Sequence, residues 1–186
     1  MCIRDRIIWT PHIAVLNPRT SALALCPILR QLSSSEPVTK PPYSYRDDPT
    51  VPDFKDDKPI IVFDGYCVLC SGFANFVIRH DKTQKLRLLA AQSELGEALY
   101  AHFGLKPDDY STNLLIENGT VRAKSDGTMA MFAYLGWPWK ALNIGRILPR
   151  LVADGFYNLI ARNRLKWFGQ KDQCYLPPKG EKDRFL

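Results

Sequence analysis

From Pro59 onward the apolar positions follow regular periods, and ahead of residue 46 they do not. Ile60, Ile61, Val62 and Phe63 form a short β-branched and aromatic run ending at Asp64-Gly65, the pattern of a strand buried on both faces. Phe73, Phe76, Val77 and His80 then recur at spacings of three and four, and Ser71 to Asp81 contains no proline, which predicts a helix. Leu86 to Ala90 reads as a second strand. Ser93 to Phe103 reads as a second helix, with Ser93 available as a cap and Glu94 and Glu97 in its first turn. Thr112 to Ile116, the turn Glu117-Asn118-Gly119 and Thr120 to Ala123 predict an antiparallel hairpin, because Asn-Gly supplies the positive φ angles of a tight turn. Asp126 is placed to cap a helix containing Met129, Met131, Phe132 and Leu135. The order βαβαββα fits an α/β domain with one mixed sheet flanked by helices.

Beyond Gly136 two more helical stretches are expected. The first, Trp139 to Leu148, carries Leu142, Ile144, Ile147 and Leu148. The second opens at Pro149 and runs to about Asn163, with Val152, Phe156, Leu159 and Ile160 as its core face. Trp167, Phe168, Cys174 and Tyr175 close the domain. The division is therefore an extension over 1–57, a domain over 58–178 and a polar tail over 179–186. The first 45 residues hold scattered prolines, a Ser33-Ser34-Ser35 run and no apolar period, so the extension is expected to be disordered. Arg4, Arg6, Arg19 and Arg30 against Asp5 give it the composition of an organellar transit peptide, while the opening MCIRDR equally suits translated untranslated or vector sequence. Location follows: mitochondrion or plastid if the extension is a genuine transit peptide, otherwise a soluble cytoplasmic protein.

The chain has 186 residues, of which 46% are hydrophobic and 24% charged, ordinary values for one globular core. No apolar run approaches the roughly 18 to 20 residues of a membrane span, so no transmembrane segment is expected. The net charge of +6 is uneven: residues 47–139 carry nine Lys/Arg against thirteen Asp/Glu, and residues 140–186 carry ten against four. Basic ends can attract nucleic acid or an anionic membrane surface, but nothing here favours nucleic acid specifically. Arg162, Arg164, Lys166 and Lys171, interleaved with Trp167 and Phe168, read most simply as a solvated helix end with two aromatic anchors.

Five cysteines, with one close pair, do not make the evenly populated framework of a secreted disulfide scaffold. The pair, Cys67-Val68-Leu69-Cys70, lies where the first strand gives way to the first helix. At a helix start, unpaired N–H groups and the macrodipole stabilise a thiolate, which makes Cys67 the candidate nucleophile. Cys70, one turn later, is placed to resolve a mixed disulfide. Asp64 has two readings: a cap for the loop through backbone N–H groups, which is favoured, and a proton relay to Cys70. A zinc site drawing on Cys174, His80 and His102 lacks any recognised spacing. A covalent haem site fails because Ser71 follows the second cysteine, and a buried inert pair remains open. Cys174 reads first as a small apolar residue packed beneath Trp167 and Phe168, and second as a third redox thiol.

The segment IIVFDGYCVLCSGFANFVIRHD resembles the start of the DCC family, the thiol-disulfide oxidoreductase-like proteins named for an Asp, Cys, Cys signature, here Asp64, Cys67 and Cys70. ENGTVRAKSDGTMA and ILPRLVADGFYNLIARNRLKWFGQKDQCYLP extend the resemblance over about residues 58–178. It implies a thioredoxin-like fold and protein-disulfide oxidoreductase activity with the two motif cysteines as redox centre, and dithiol-disulfide exchange by such a pair requires no metal or organic cofactor. The partners expected for that exchange are a disulfide-containing protein or small-thiol substrate and an unidentified electron donor. Unlike thioredoxin, the chain has no proline immediately before the Thr112 strand. The competing expectation is a non-enzymatic binding module, with a metal site or the basic C-terminal region as its interface.

Overall fold

The computed structural model describes residues 40–106 and 109–186. Most of the extension, residues 1–39, and Pro107 lie outside the described residues. Four strands, β1 (Ile60–Phe63), β2 (Arg87–Ala90), β3 (Leu114–Glu117) and β4 (Thr120–Ala123), form one mixed sheet in the order β2-β1-β3-β4. β1 pairs parallel with β2 and antiparallel with β3, and β3 pairs antiparallel with β4. The helices are α1 (Val68–His80), α2 (Glu94–His102), α3 (Lys124–Met131) and α4 (Arg150–Phe168). A mixed α/β sheet with flanking helices is the expected thioredoxin-like class.

Alternation along β1 sorts the core into two layers. Ile61 and Phe63 pack with Ala74 and Val77 of α1 and with Met131 of α3, whereas Ile60 and Val62 pack with Leu99 and Tyr100 of α2 on the other face. All four β1 residues are buried, as a central strand between two helical layers requires.

Local chemistry sets the boundaries. The Ser93 hydroxyl accepts the Gly96 N–H at 3.1 Å and caps α2. Gly96 lies so close to β2 that a Cβ there would come within 2.3 Å of the Ala90 carbonyl oxygen. Asn118 and Gly119 have φ of 48° and 73°, the two positive values a two-residue hairpin turn demands.

Several expectations need correction. Asp126 lies in the first turn of α3, not at its cap, and pairs with Arg122 and Arg146. Trp139–Ile147 winds as a 3-10 helix without a single buried residue. Helix α4 extends to Phe168, and its supposed core face is turned outward: Val152, Phe156, Leu159 and Ile160 are exposed. Polar anchors orient it instead. The Tyr157 hydroxyl accepts the Asn113 N–H at 2.8 Å and donates to the Ser111 carbonyl at 3.1 Å, Asp154 accepts from the Ser125 hydroxyl, and Arg164 is buried.

Both flanks of the expected domain also pack onto it. Tyr45 and Val51 join the α2-side core, and the Tyr43 N–H donates to the Gly119 carbonyl at 3.0 Å. In the polar tail Arg184 is buried against Asp81 at 2.8 Å, and the Leu186 N–H donates to the Leu88 carbonyl at 3.1 Å along the outer edge of β2. The sequence predicts a disordered extension on the N-terminal flank and a polar tail on the C-terminal one, but a few anchors suffice to dock the described parts of both.

Candidate active site at the strand-to-helix junction

The turn leaving β1 passes directly into α1, and Cys67 occupies the N-cap with an extended backbone (φ −70°, ψ 125°). Its sulfur takes the place of a capping oxygen by accepting the Cys70 N–H at 3.4 Å. This lies within the usual reach of a sulfur acceptor and leaves Cys70 in the first turn of α1, beside Cys67. Both thiols are free and buried.

The environments split the pair. Hydrogen bonding from the Cys70 thiol and then from the Cys70 backbone N–H, with Arg164 adding its positive charge, draws the Cys67 thiol down from its ordinary value to about 6, against opposition from burial and the Asp64 carboxylate. Cys70 moves the opposite way: donating to Cys67 and lying buried, it is held firmly protonated. One sulfur is therefore ready to ionise near neutral pH while the other retains its proton.

Asp64 organises the turn. Oδ1 accepts the Tyr66 N–H at 3.0 Å, the Cys67 N–H at 3.3 Å and the Gln92 amide at 2.7 Å, while Oδ2 accepts from Arg164 at 2.8 Å. Those bonds are what the loop-capping role requires. Gln92 closes the arrangement by accepting the Gly65 N–H at 2.9 Å through its side-chain oxygen. Asp64 and Arg164 have side chains only 6% and 9% exposed, so each depends on the other for charge balance.

Arg164 and Gln92 escaped the sequence reading. Arg164 sits 100 residues from Asp64 in a run of basic residues that reads as solvated, and Gln92 sits 28 residues away in a loop. Neither has a local signal; only the fold joins them to the cysteines.

A strap covers Cys67. Val68 donates to the Gly169 carbonyl at 3.3 Å, Lys171 to Tyr66 at 2.8 Å and Tyr175 to Gly65 at 3.0 Å, and Cys67 itself bridges to Gln170. The Cys67 side chain is thereby sealed from solvent in this arrangement. The strap also carries Cys174 over the turn: a Cβ on Gly65 would lie 2.7 Å from its sulfur.

The remaining metal candidates have other partners. His80 bonds the Phe76 carbonyl through Nδ1 at 2.8 Å and meets Trp139 edge to face, and His102 contacts Asp48 at 2.6 Å and Ser44 at 3.0 Å. Among the described residues no group of three or more His, Cys, Asp or Glu is arranged to hold a metal ion.

Residues 61–170, which run from within β1 through the cysteine turn to the end of α4, match the DCC1-like thiol-disulfide oxidoreductase family. The chain is 38% identical over 127 residues to the uncharacterized protein YuxK of Bacillus subtilis, covering 68% of this chain and 93% of that one. It is also 38% identical over 125 residues to a chloroplastic DCC family protein of Arabidopsis thaliana, covering 66% of this chain and 73% of the relative. No solved structure matches the chain. The matched segment thus contains Asp64, both cysteines and the arginine that pairs with Asp64, and on that match the chain belongs to the DCC1-like thiol-disulfide oxidoreductase family.

Proposed function

We infer that this chain is a thiol-disulfide oxidoreductase whose redox centre is Cys67 and Cys70. The observation that carries the reading is the Cys67 sulfur at the start of α1, accepting the Cys70 N–H while Cys70 retains its proton. Family membership supports the reaction class. The Cys67 thiolate attacks one sulfur of a substrate disulfide, forming a mixed disulfide and expelling the other sulfur as a thiolate. Cys70 then gives up its proton and attacks Cys67, releasing the second substrate thiol. Two electrons have passed to the substrate, and Cys67 and Cys70 are joined. An external dithiol restores the reduced pair, with electrons flowing the other way when the chain acts as an oxidant.

Because Cys67 is sealed, a polypeptide disulfide reaches it only when the 169–175 strap lifts. Asp64 serves this reaction by holding the turn and orienting Arg164. The Arg-rich opening and the chloroplastic relative together support organelle import as the finer location.

The deciding experiment is a redox titration of the full chain with mass mapping of the joined cysteines, alongside turnover of a small chromogenic disulfide. Cys67 and Cys70 should join reversibly; Cys67→Ser should abolish turnover and Cys70→Ser should accumulate a trapped mixed disulfide on Cys67. Full turnover in both variants would overturn the assignment.

A further inference from the structure

Helix α4 packs with its faces reversed relative to an ordinary core helix. Val152, Phe156, Leu159, Ile160 and Trp167 share one helical stripe, and they are 47%, 64%, 52%, 43% and 57% exposed. The side turned to the protein is the polar one, carrying Asp154, Tyr157 and Arg164 with the partners described above. The preceding segment continues the apolar surface with Trp137, Ile144 and Ile147, 81%, 71% and 79% exposed, and Leu151 in the first turn of α4 joins them at 91%. Scattered single hydrophobic residues are ordinary on a protein surface; a run of this extent marks an interaction site.

Charge identifies the occupant. Residues 136–171 contain seven Lys/Arg and a single acid, Asp154, which is turned inward to Ser125. Arg164 is committed to Asp64, while Lys140, Arg150, Arg162 and Lys166 are exposed alongside the apolar residues. Asp126 takes Arg146 at 3.1 Å and lies 4.0 Å from Arg150, and Asp172 is exposed just beyond this stretch, but among the described residues no acid pairs with Lys140, Arg162 or Lys166, so a second copy of the chain would still bring two basic borders together. Large apolar side chains that project outward with basic side chains beside them match a fluid, anionic surface, where the rings and aliphatic chains enter the interface and the cations meet phosphates. No described helix is long and apolar enough to cross a membrane.

We propose that the outward face of α4, with the Trp137–Pro149 segment before it, docks this chain onto an anionic lipid bilayer. Trp137, Ile147, Leu151 and Phe156 enter the headgroup boundary, and Arg150, Arg162 and Lys166 engage lipid phosphates. This surface stands independently of the thiol chemistry.

The test is sedimentation of the full chain with vesicles of phosphatidylcholine alone and with vesicles containing equal amounts of phosphatidylcholine and phosphatidylglycerol. The wild-type chain should pellet with the mixed vesicles, less so as salt is raised, and stay in solution with phosphatidylcholine alone. The double variants Phe156→Ser/Ile160→Ser and Arg162→Glu/Lys166→Glu should each weaken partitioning by about tenfold or more. Failure to pellet with the mixed vesicles overturns the proposal, as does equal pelleting of the charge-reversed variant, which would assign binding elsewhere, the basic N-terminal segment included. A wild-type dimer in sedimentation velocity that the Phe156 variant dissolves, without vesicle binding, overturns it in favour of a second copy. Should the serine variant misfold, the charge reversal decides by itself, because its residues lie on the solvent side of α4.

Discussion

At Cys67 one sulfur performs two tasks, closing the first turn of α1 and storing negative charge. The sign of its pH dependence follows. A thiol drawn down to about 6 in the folded chain, against about 8.5 unfolded, gives up its proton more readily when folded, so the reduced protein gains stability as pH rises from about 6 to about 8.5 and loses it as pH falls back through that window. Urea unfolding of reduced wild type and Cys67→Ser across this range should show the slope in the first and its loss in the second. Thiolate absorbance should rise with a midpoint near 6 in wild type. Arg164→Met should move that midpoint upward and Asp64→Asn downward, because the guanidinium favours the anion and the carboxylate opposes it. Arg164→Met should also cost about 3–5 kcal/mol of stability by leaving Asp64 buried without its partner. Cys67, Cys70 and Asp64 were legible because three chemically distinctive side chains fall within seven residues of a strand end. Arg164 was not: a basic residue distant in sequence carries no mark of the carboxylate it meets.

Among the elements, capping and close approach decide where helices begin. Gly96→Ala gains a little helix propensity but drives a methyl group into the β2 backbone at Ala90, and the expected result is a net loss of about 1–3 kcal/mol in chemical denaturation. β1, α1, α2 and the Asn118-Gly119 hairpin stood close to their observed limits in the sequence, since period and turn chemistry are both local. Helix α4 shows where that locality ends. Its apolar period identified Val152, Phe156, Leu159 and Ile160 as one face, yet a period reports which residues share a face and not which way the face points. The direction is imposed by Asp64 and the Ser111–Asn113 backbone, whose buried polar groups need Arg164 and Tyr157. The 3-10 winding of Trp139–Ile147 likewise had no sequence signal distinct from that of an α-helix.

In the whole molecule, remote segments hold the sheet and the cysteine turn together. Asp81, at the end of α1, accepts the Lys85 and Leu86 N–H groups at 3.1 and 2.9 Å and pairs with Arg184 from the last residues of the chain. Arg184→Met should therefore cost about 3–5 kcal/mol, read from the urea midpoint, although position 184 lies in the segment expected to be a polar tail. Phe185 bridges Leu88 beside the bond from Leu186 to the same strand, so backbone groups on the outer side of β2 already have a neighbour. An incoming extended peptide finds no vacant hydrogen-bonding ladder there, and the fold carries a built-in guard against joining other molecules edge to edge through that strand.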